Sequence, residues 1–479
     1  MKVAFVAVEM SPVAKVGGLA DVVGSLPKAL IELGHDVRVF LPHYRMVDDL
    51  AFEKPVPVGD SFITEINPYW KKETNLWETH IDGIPVILVG TDQWFDLSVS
   101  SETLYQPGGD HHLFFSSAVL QSFENLDWEP DIIHCHDWHT GFVPVLMREK
   151  WPNRFGDVGC VFTIHNFAYQ GDFGIEVLDQ LGLSRSLFNP RQVEAFGRVN
   201  FLKAGCVFSD RVNTVSETYA KEIQTPEFGN RLEGLMQYLA HEGRLSGILN
   251  GIDEEFFNPA TDPYIPANFS AKDQGNKAIC KSELLQELGF ESTGDPLFGV
   301  VSRLSSQKGL DLLMEVTESL VDLPAQLVVQ GLGEPPIAYG FQNLQARFPG
   351  RVRLVQEFNP GLAQRIYAGC DGFLMPSKFE PCGLGQMIAM RYGTIPVVRA
   401  TGGLKDTVIE GDNGFVFSHP SPFDLLQALQ RAAETYRQPR EWKAMMNRAM
   451  AAKHTWNGSA HAYAHLYEQS VSDRMARTA

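Results

Sequence analysis

Short apolar runs alternating with segments of helical spacing set the rhythm of this chain. Residues 2–8, KVAFVAV, have the length and composition of a buried parallel strand. The loop SPVAKVGG follows, and DVVGSLPKALIELG then spaces its apolar residues helically as far as Gly34. HDVRVFLP returns as a second strand that Pro42 stops, so the first 42 residues read as one βαβ unit. The same rhythm recurs at DIIHCH (131–136), GCVFTIHN (159–166) and DRVNTVS (210–216). Around GILNGID (247–253) the pattern pauses, and 259–294, rich in Pro, Asn and Asp, reads as a connector with one helix. A second series opens at PLFGVVSRL (296–304) and runs through a helix at 310–320, QLVVQG, VRLVQEF, AQRIYAGC and DGFLMPS. A helix after Glu380, the strand TIPVVRA and NGFVFS complete it. Helical segments at 422–436 and 440–454 and a last stretch around HAYAHLYEQSV close the chain.

Two such series imply an α/β protein with two doubly wound, Rossmann-like domains facing each other across a cleft. The expected boundaries are 1–246 and 247–455, with a final helix in 456–479 crossing back to the N-terminal domain. In sheets of this kind ligands sit at the carboxyl ends of the strands, so the loops there are where chemistry is expected.

Composition narrows the picture. At 479 residues, with 44% hydrophobic and 20% charged positions, the chain can bury a core without disulfides or metal. The formal net charge of −18 argues against a nucleic-acid or anionic-membrane partner, and an anionic substrate would need a local basic cluster. Cys135, Cys160, Cys206, Cys280, Cys370 and Cys382 are scattered without a CxxC pair, which fits a reducing cytosol. Val3–Val8 is too short for a signal peptide, and no apolar run approaches the ~18 residues of a membrane span. The expectation is a soluble cytoplasmic protein with no membrane partner.

Four constellations could carry chemistry. Lys15-Val16-Gly17-Gly18-Leu19 joins the first strand to its helix, and its glycines and helix-start N–H groups suit a phosphate or hydroxyl. It is not GxGxxG, and without Lys15 it would read as a plain turn. Arg303 and Lys308 lie on the loop that opens the second series. Cations fixed there can stabilise a diphosphate leaving group in place of a metal ion, although an isolated RxxxxK is ordinarily a solvated loop. Lys378–Gln386, KFEPCGLGQ, puts Glu380 beside a helix start, where a carboxylate can also be a simple cap. Thr401-Gly402-Gly403-Leu404 repeats the device, giving a second loop of free N–H groups. In His134-Cys135-His136-Asp137-Trp138-His139, Trp138 stands where an HxHxDH metal motif needs Asp, so a polar edge for sugar hydroxyls is the better reading. His165-Asn166 ends the next strand and is expected to open onto the same cleft.

With these blocks in their order, the chain resembles the bacterial glycogen synthases and plant starch synthases over nearly its whole length. The resemblance rests on KVGGLADVVGSLPKAL, HCHDWHTGFVPVL, FTIHNFAYQG, NTVSETYAKEI, GILNGID, SRLSSQKGLDLL, PSKFEPCGLGQMIAMRYGTIPVVRATGGLKDTV and NGFVF. It implies a GT-B glycosyltransferase fold. It also implies retaining transfer of glucose from a nucleotide sugar, ADP-glucose, to the non-reducing-end 4-hydroxyl of an α-1,4-glucan, without metal or other cofactor. By the same resemblance, Lys15, Gly17, Gly18 and Asp21 approach the donor. His165 approaches the transferred sugar, with Asp137 and Asn166 nearby. Arg303 and Lys308 form the diphosphate clamp, and Glu380 faces the glucosyl unit. Asn250, Cys382, Gly383, Leu384, Thr401, Gly402 and Gly403 complete the donor site.

The sequence departs from the family at three points. Gly385 stands where many bacterial members have Thr, and the first loop reads KVGGL rather than KTGGL. LYQPGGDHHLFFSSAVL (104–120) lacks the usual DN…RF pattern, which bears on acceptor preference. Starting at strand one, the chain looks like an unextended bacterial enzyme. Competing readings are transfer from UDP-glucose, priming on short maltooligosaccharides, a phosphorylase with lysine-bound pyridoxal phosphate, and a non-catalytic glucan-binding scaffold. Intact Lys15, Arg303, Lys308 and Glu380 speak against the scaffold.

Overall fold

The computed structural model describes residues 1–48, 53–91, 94, 95, 98, 100, 104, 105, 108–322 and 324–478. The chain divides into two units. One comprises Met1–Val215, Ala220–Ile248 and Trp456–Ala479, the other Ser216–Tyr219 and Leu249–Thr455.

The first unit holds β1 (Lys2–Val6), β2 (Asp36–Pro42), β3 (Val56–Pro57), β4 (Phe62–Asn67), β5 (Trp70–Ile81), β6 (Ile84–Gly90), β7 (Ile132–His136), β8 (Gly159–Ile164), β9 (Asp172–Phe173), β10 (Glu194–Ala195), β11 (Arg198–Asn200), β12 (Arg211–Thr214) and β13 (Leu245–Gly247). The main sheet runs β13-β12-β8-β7-β1-β2-β6-β5-β3, with β4 paired to β5. From β13 to β6 every pairing is parallel. β7 and β8 are buried at every position, because a parallel sheet is covered on both faces, and their polar members His134, His136 and Thr163 are buried with the rest. β5 turns antiparallel against β6, and β3 and β4 pair antiparallel to β5. This ribbon extends the sheet over a stretch for which no strand was expected.

The helix Gly18–Glu32 buries Leu19, Val22, Val23, Leu26 and Leu30 on one face. It ends where Gly34 and His35 donate back to the carbonyls of Ile31 and Leu30. The C-terminal helix Trp456–Thr478 packs on it and on β8. Arg148 and Arg474 both pair with the fully buried Asp210, and Arg211 pairs with Asp473, so charges fasten the helix to the sheet.

The second unit holds β14 (Leu297–Val301), β15 (Gln326–Gln330), β16 (Val352–Val355), β17 (Gly372–Met375), β18 (Ile395–Arg399) and β19 (Phe415–Phe417). They form one parallel sheet in the order β16-β15-β14-β17-β18-β19. Counted from the unit's first strand, that is the doubly wound order 3-2-1-4-5-6, whose direction reverses between β14 and β17. In the first unit the corresponding reversal lies between β1 and β7. Among the described residues no helix is long and apolar enough to cross a membrane.

Candidate functional site

In the second unit the two loops at the reversal carry the cations and the carboxylate. After β14, a short turn of helix at Ser306–Lys308 presents Lys308. Its ammonium donates to both oxygens of Glu380, at 2.9 and 2.7 Å, on the loop that follows β17. Ser377 adds a third hydrogen bond to the same carboxylate at 2.9 Å. Glu380 is buried and Lys308 is nearly so, so the pair is shielded from the water that weakens surface ion pairs. Arg303 is exposed on the same loop and pairs with no carboxylate among the described residues.

The segment from Glu380 to Leu384 is fixed by its neighbours. A backbone N–H of Asn250 bonds the Cys382 sulfur, while the side-chain oxygen of Asn250 is buried without a partner among the described residues. Burial pushes the Cys382 thiol up to about 12, so it stays protonated and is no nucleophile. Gly383 makes the turn into the helix Gly385–Arg391, with Leu384 at its N-cap.

The loop at Thr401–Gly403 differs from expectation. Read as a loop of free N–H groups, it is instead buried, and the Gly403 N–H bonds back to the carbonyls of Glu380 and Pro381 at 3.3 Å. The Leu404 N–H goes to the Thr401 carbonyl. A Cβ on Gly402 would lie 1.8 Å from the Glu380 carbonyl oxygen, and one on Gly403 2.2 Å from that of Cys382. Glycine is required here for backbone-on-backbone contact, and the loop braces the one that carries Glu380.

In the first unit the loops after β1, β7 and β8 supply the polar groups. Lys15 is exposed and donates to Asp21 at 2.5 Å. The backbone N–H groups of Val16 and Gly17, expected to be open to an anion, both donate to Glu9 Oε2 at 2.8 Å. Glu9 is a buried carboxylate directly after β1 that also accepts from the Tyr105 hydroxyl. By contrast with the later loop, nothing among the described residues lies within 4 Å of a Cβ built on Gly17 or Gly18. Among the described residues no internal packing explains these two glycines.

Asp137, expected to meet sugar hydroxyls, turns inward. In a left-handed conformation at φ 57°, it accepts the N–H of His165 at 2.8 Å and that of Asn166. Burial raises its carboxyl to about 7. It thus holds the main chain that carries His165. Asn166 spends its side-chain oxygen on the Ala168 N–H, closing a turn. His165 is buried, and burial lowers its ring to about 3, so it is neutral. His134 is no polar edge: it is fully buried, and both nitrogens are engaged by Tyr467 and Thr163, which also removes it as a metal ligand.

Sequence reasoning passed over three features. Glu9 followed an apolar run, a position where an isolated acid breaks the pattern. Tyr105 and His139 stack at 4.7 Å, 12° from parallel, beside Glu9. Phe358, after β16, is 81% exposed at the same edge of the second sheet as Arg303, with Leu332 half exposed after β15. Of the stretch 104–120, Gln106 and Pro107 lie outside the described residues, and residues 110–120 form the start of the helix Asp110–Asn125.

Comparison with known proteins fits this arrangement. Residues 2–238 match the starch synthase catalytic domain family, and 283–447 match glycosyl transferases group 1. Glycogen synthase of Moorella thermoacetica is 42% identical over 99% of this chain and 98% of its own. The chain belongs to the glycogen and starch synthase family. A second glycogen synthase, of Geotalea daltonii, is 44% identical over 98% of both chains. The catalytic domain of starch synthase IV from Arabidopsis thaliana, solved bound to ADP and acarbose, superposes with a TM-score of 0.90. It is 36% identical and covers 98% of this chain and 99% of its own. Sucrose-phosphate synthase of Thermosynechococcus elongatus, 18% identical with a TM-score of 0.61, shares the GT-B fold. As a glycogen and starch synthase family member, the chain is a glucosyltransferase of glucan synthesis.

Proposed function

We propose that the chain transfers glucose from ADP-glucose to the non-reducing-end 4-hydroxyl of an α-1,4-glucan, with retention at the anomeric carbon. The carrying observation is the pairing of Lys308 with Glu380 at the reversal of the second sheet, with Arg303 exposed on the same loop as Lys308. When the bond from the anomeric carbon to the diphosphate oxygen breaks, its electron pair stays on the diphosphate and the sugar becomes cationic. Lys308 and Arg303 stabilise the first charge. Held by Glu380, Lys308 needs no reorganisation as that charge develops. Phe358 and Leu332 offer an apolar face for the nucleotide base.

Glu380 serves this reaction as a fixed negative charge. Its oxygens already accept three hydrogen bonds, which makes it a poor nucleophile and favours same-face attack within an ion pair over a covalent intermediate. A neutral His165 suits a neighbour that becomes cationic, because an imidazolium would oppose it. Asn250, Cys382, Gly383 and Leu384 line the donor in this reading, and Thr401–Gly403 brace that lining.

The test is nucleotide release from ADP-glucose and from UDP-glucose, each with and without glycogen, with the product's anomeric protons followed by NMR. Glycogen-dependent ADP release with new α-1,4 signals is expected. A UDP preference would replace the donor, and β-linked product or silence with both donors would overturn the reading.

A further inference from the structure

We propose that His136 is a positioning residue that fixes the tautomer of His165, so that His165 offers an N–H at Nδ1 to the sugar. The role toward the sugar rests on the reading above, whereas the tautomer follows from proton accounting in the first unit.

His136 is fully buried on β7, and its Nδ1 lies 3.0 Å from His165 Nε2. Its other nitrogen, Nε2, is buried and has no partner among the described residues. Burial holds both rings neutral, so each carries one N–H. Two arrangements satisfy the shared bond. In one, His165 Nε2–H donates to His136 Nδ1, and His136 must then bury an N–H at Nε2 with no acceptor. In the other, His136 Nδ1–H donates to His165 Nε2, leaving only an unused lone pair at His136 Nε2. Orphaned buried N–H groups are rarer and costlier than unused acceptors, so the second arrangement holds. His165 then carries its proton on Nδ1.

No neighbour reverses this direction. The Phe5 ring stacks on His136 at 5.2 Å and offers no lone pair in its plane. His134, whose ring centre is 4.1 Å away, is fully committed. The Thr163 hydroxyl donates to Asn213 Oδ1 at 2.7 Å, so it accepts from His134 Nε2–H at 2.6 Å. The Tyr467 hydroxyl, 2.9 Å away, then donates to His134 Nδ1. Asn213 passes the chain on to Tyr463 at 3.0 Å. The C-terminal helix thereby fixes His134, and His134 has neither proton nor lone pair left for His136. Asp137 meanwhile holds the His165 main chain, so backbone and ring are set by adjacent residues of one strand end.

The test labels histidine nitrogens with ¹⁵N and reads long-range proton–nitrogen correlations, with His165 assigned by its loss in His165→Ala. A protonated Nδ1 and bare Nε2 on His165 are expected, and the opposite pattern overturns the proposal whatever the activity. Kinetically, His136→Phe removes the donor, whereas His136→Asn keeps an N–H near the Nδ1 position. His136→Phe is expected to lower kcat about 10–100-fold with donor KM within about 2-fold, the loss typical when the outer hydrogen-bond partner of a metal-binding histidine is removed, taken here as the scale for an oriented histidine. His136→Asn should recover most of it. Equal losses in both variants, with unchanged melting, would assign His136 to packing alone. If His136→Phe does not fold, the nitrogen spectrum of the unsubstituted protein decides. Full turnover in His165→Ala would overturn the sugar role of His165, and the spectrum judges the tautomer separately.

Discussion

Lys308 and Glu380 illustrate how one contact can be both structural and chemical. Removing Lys308 leaves a buried carboxylate with only Ser377, and stranding one partner of a shielded pair costs about 3 kcal/mol. Lys308→Ala should therefore unfold at lower urea, and Lys308→Ala/Glu380→Gln should regain most of that midpoint while remaining slow. Urea titrations of the three proteins check this, and a double variant no more stable than Lys308→Ala would contradict it. Lys308 and Glu380 were legible singly because each sits in a motif at a strand end. Their mutual bond was not, because it joins residues 72 positions apart. Glu9 was illegible for a related reason: a single acid after a strand has no periodicity, and its partners Gly17 and Tyr105 are set by folding.

Among the elements, most of the parallel strands were readable because burial on both faces favours short, largely apolar runs. β3, β4 and β5 escaped because they are half-exposed, with mixed side chains on the open face, whereas β6 is a buried apolar run of the readable kind that was passed over. The brace at Thr401–Gly403 was read as open because sequence shows the glycines but not the backbone they admit. Gly403→Ala should push the loop of Glu380 away, and an activity loss of tenfold or more with the first unit's stability unchanged is expected. Activity assays with urea melts check it, and near-normal turnover would contradict the close packing. β7 and β8 make a separate prediction. His139 and His165 titrate near 3 in the fold against 6.5 when free, and His112, His134 and His136 shift the same way. Lowered values mean that their stabilisation is present above pH 6.5 and is lost as pH falls toward 3, at about 1.4 kcal/mol per pH unit for each. Asp137 acts oppositely: raised from 3.8 to about 7, it is relieved of its burial cost as pH falls through 7 toward 4. Five histidines outweigh one carboxyl. The urea midpoint should drop between pH 7.5 and 5.5, and a flat or rising midpoint would contradict the neutral cluster.

For the whole molecule, the C-terminal helix joins the end of the chain to the sheet of the first unit. Its anchors are the Asp210 charges and the Tyr463 and Tyr467 hydroxyls. Asp210→Asn would leave two part-buried guanidinium groups underpaired around a fully buried site and should cost about 3 kcal/mol, read as an early urea transition. An unchanged midpoint would show that the helix is held by packing alone. In the proposed reaction the cations at the sheet reversal stabilise the departing diphosphate. The most direct measurement is kcat for ADP-glucose at saturating glycogen in Lys308→Ala, with Lys308→Ala/Glu380→Gln as the folded control. A fall of about 10²–10³-fold in both is predicted, the usual loss for one preorganised group facing developing charge. Turnover within about threefold of the unsubstituted enzyme would contradict it.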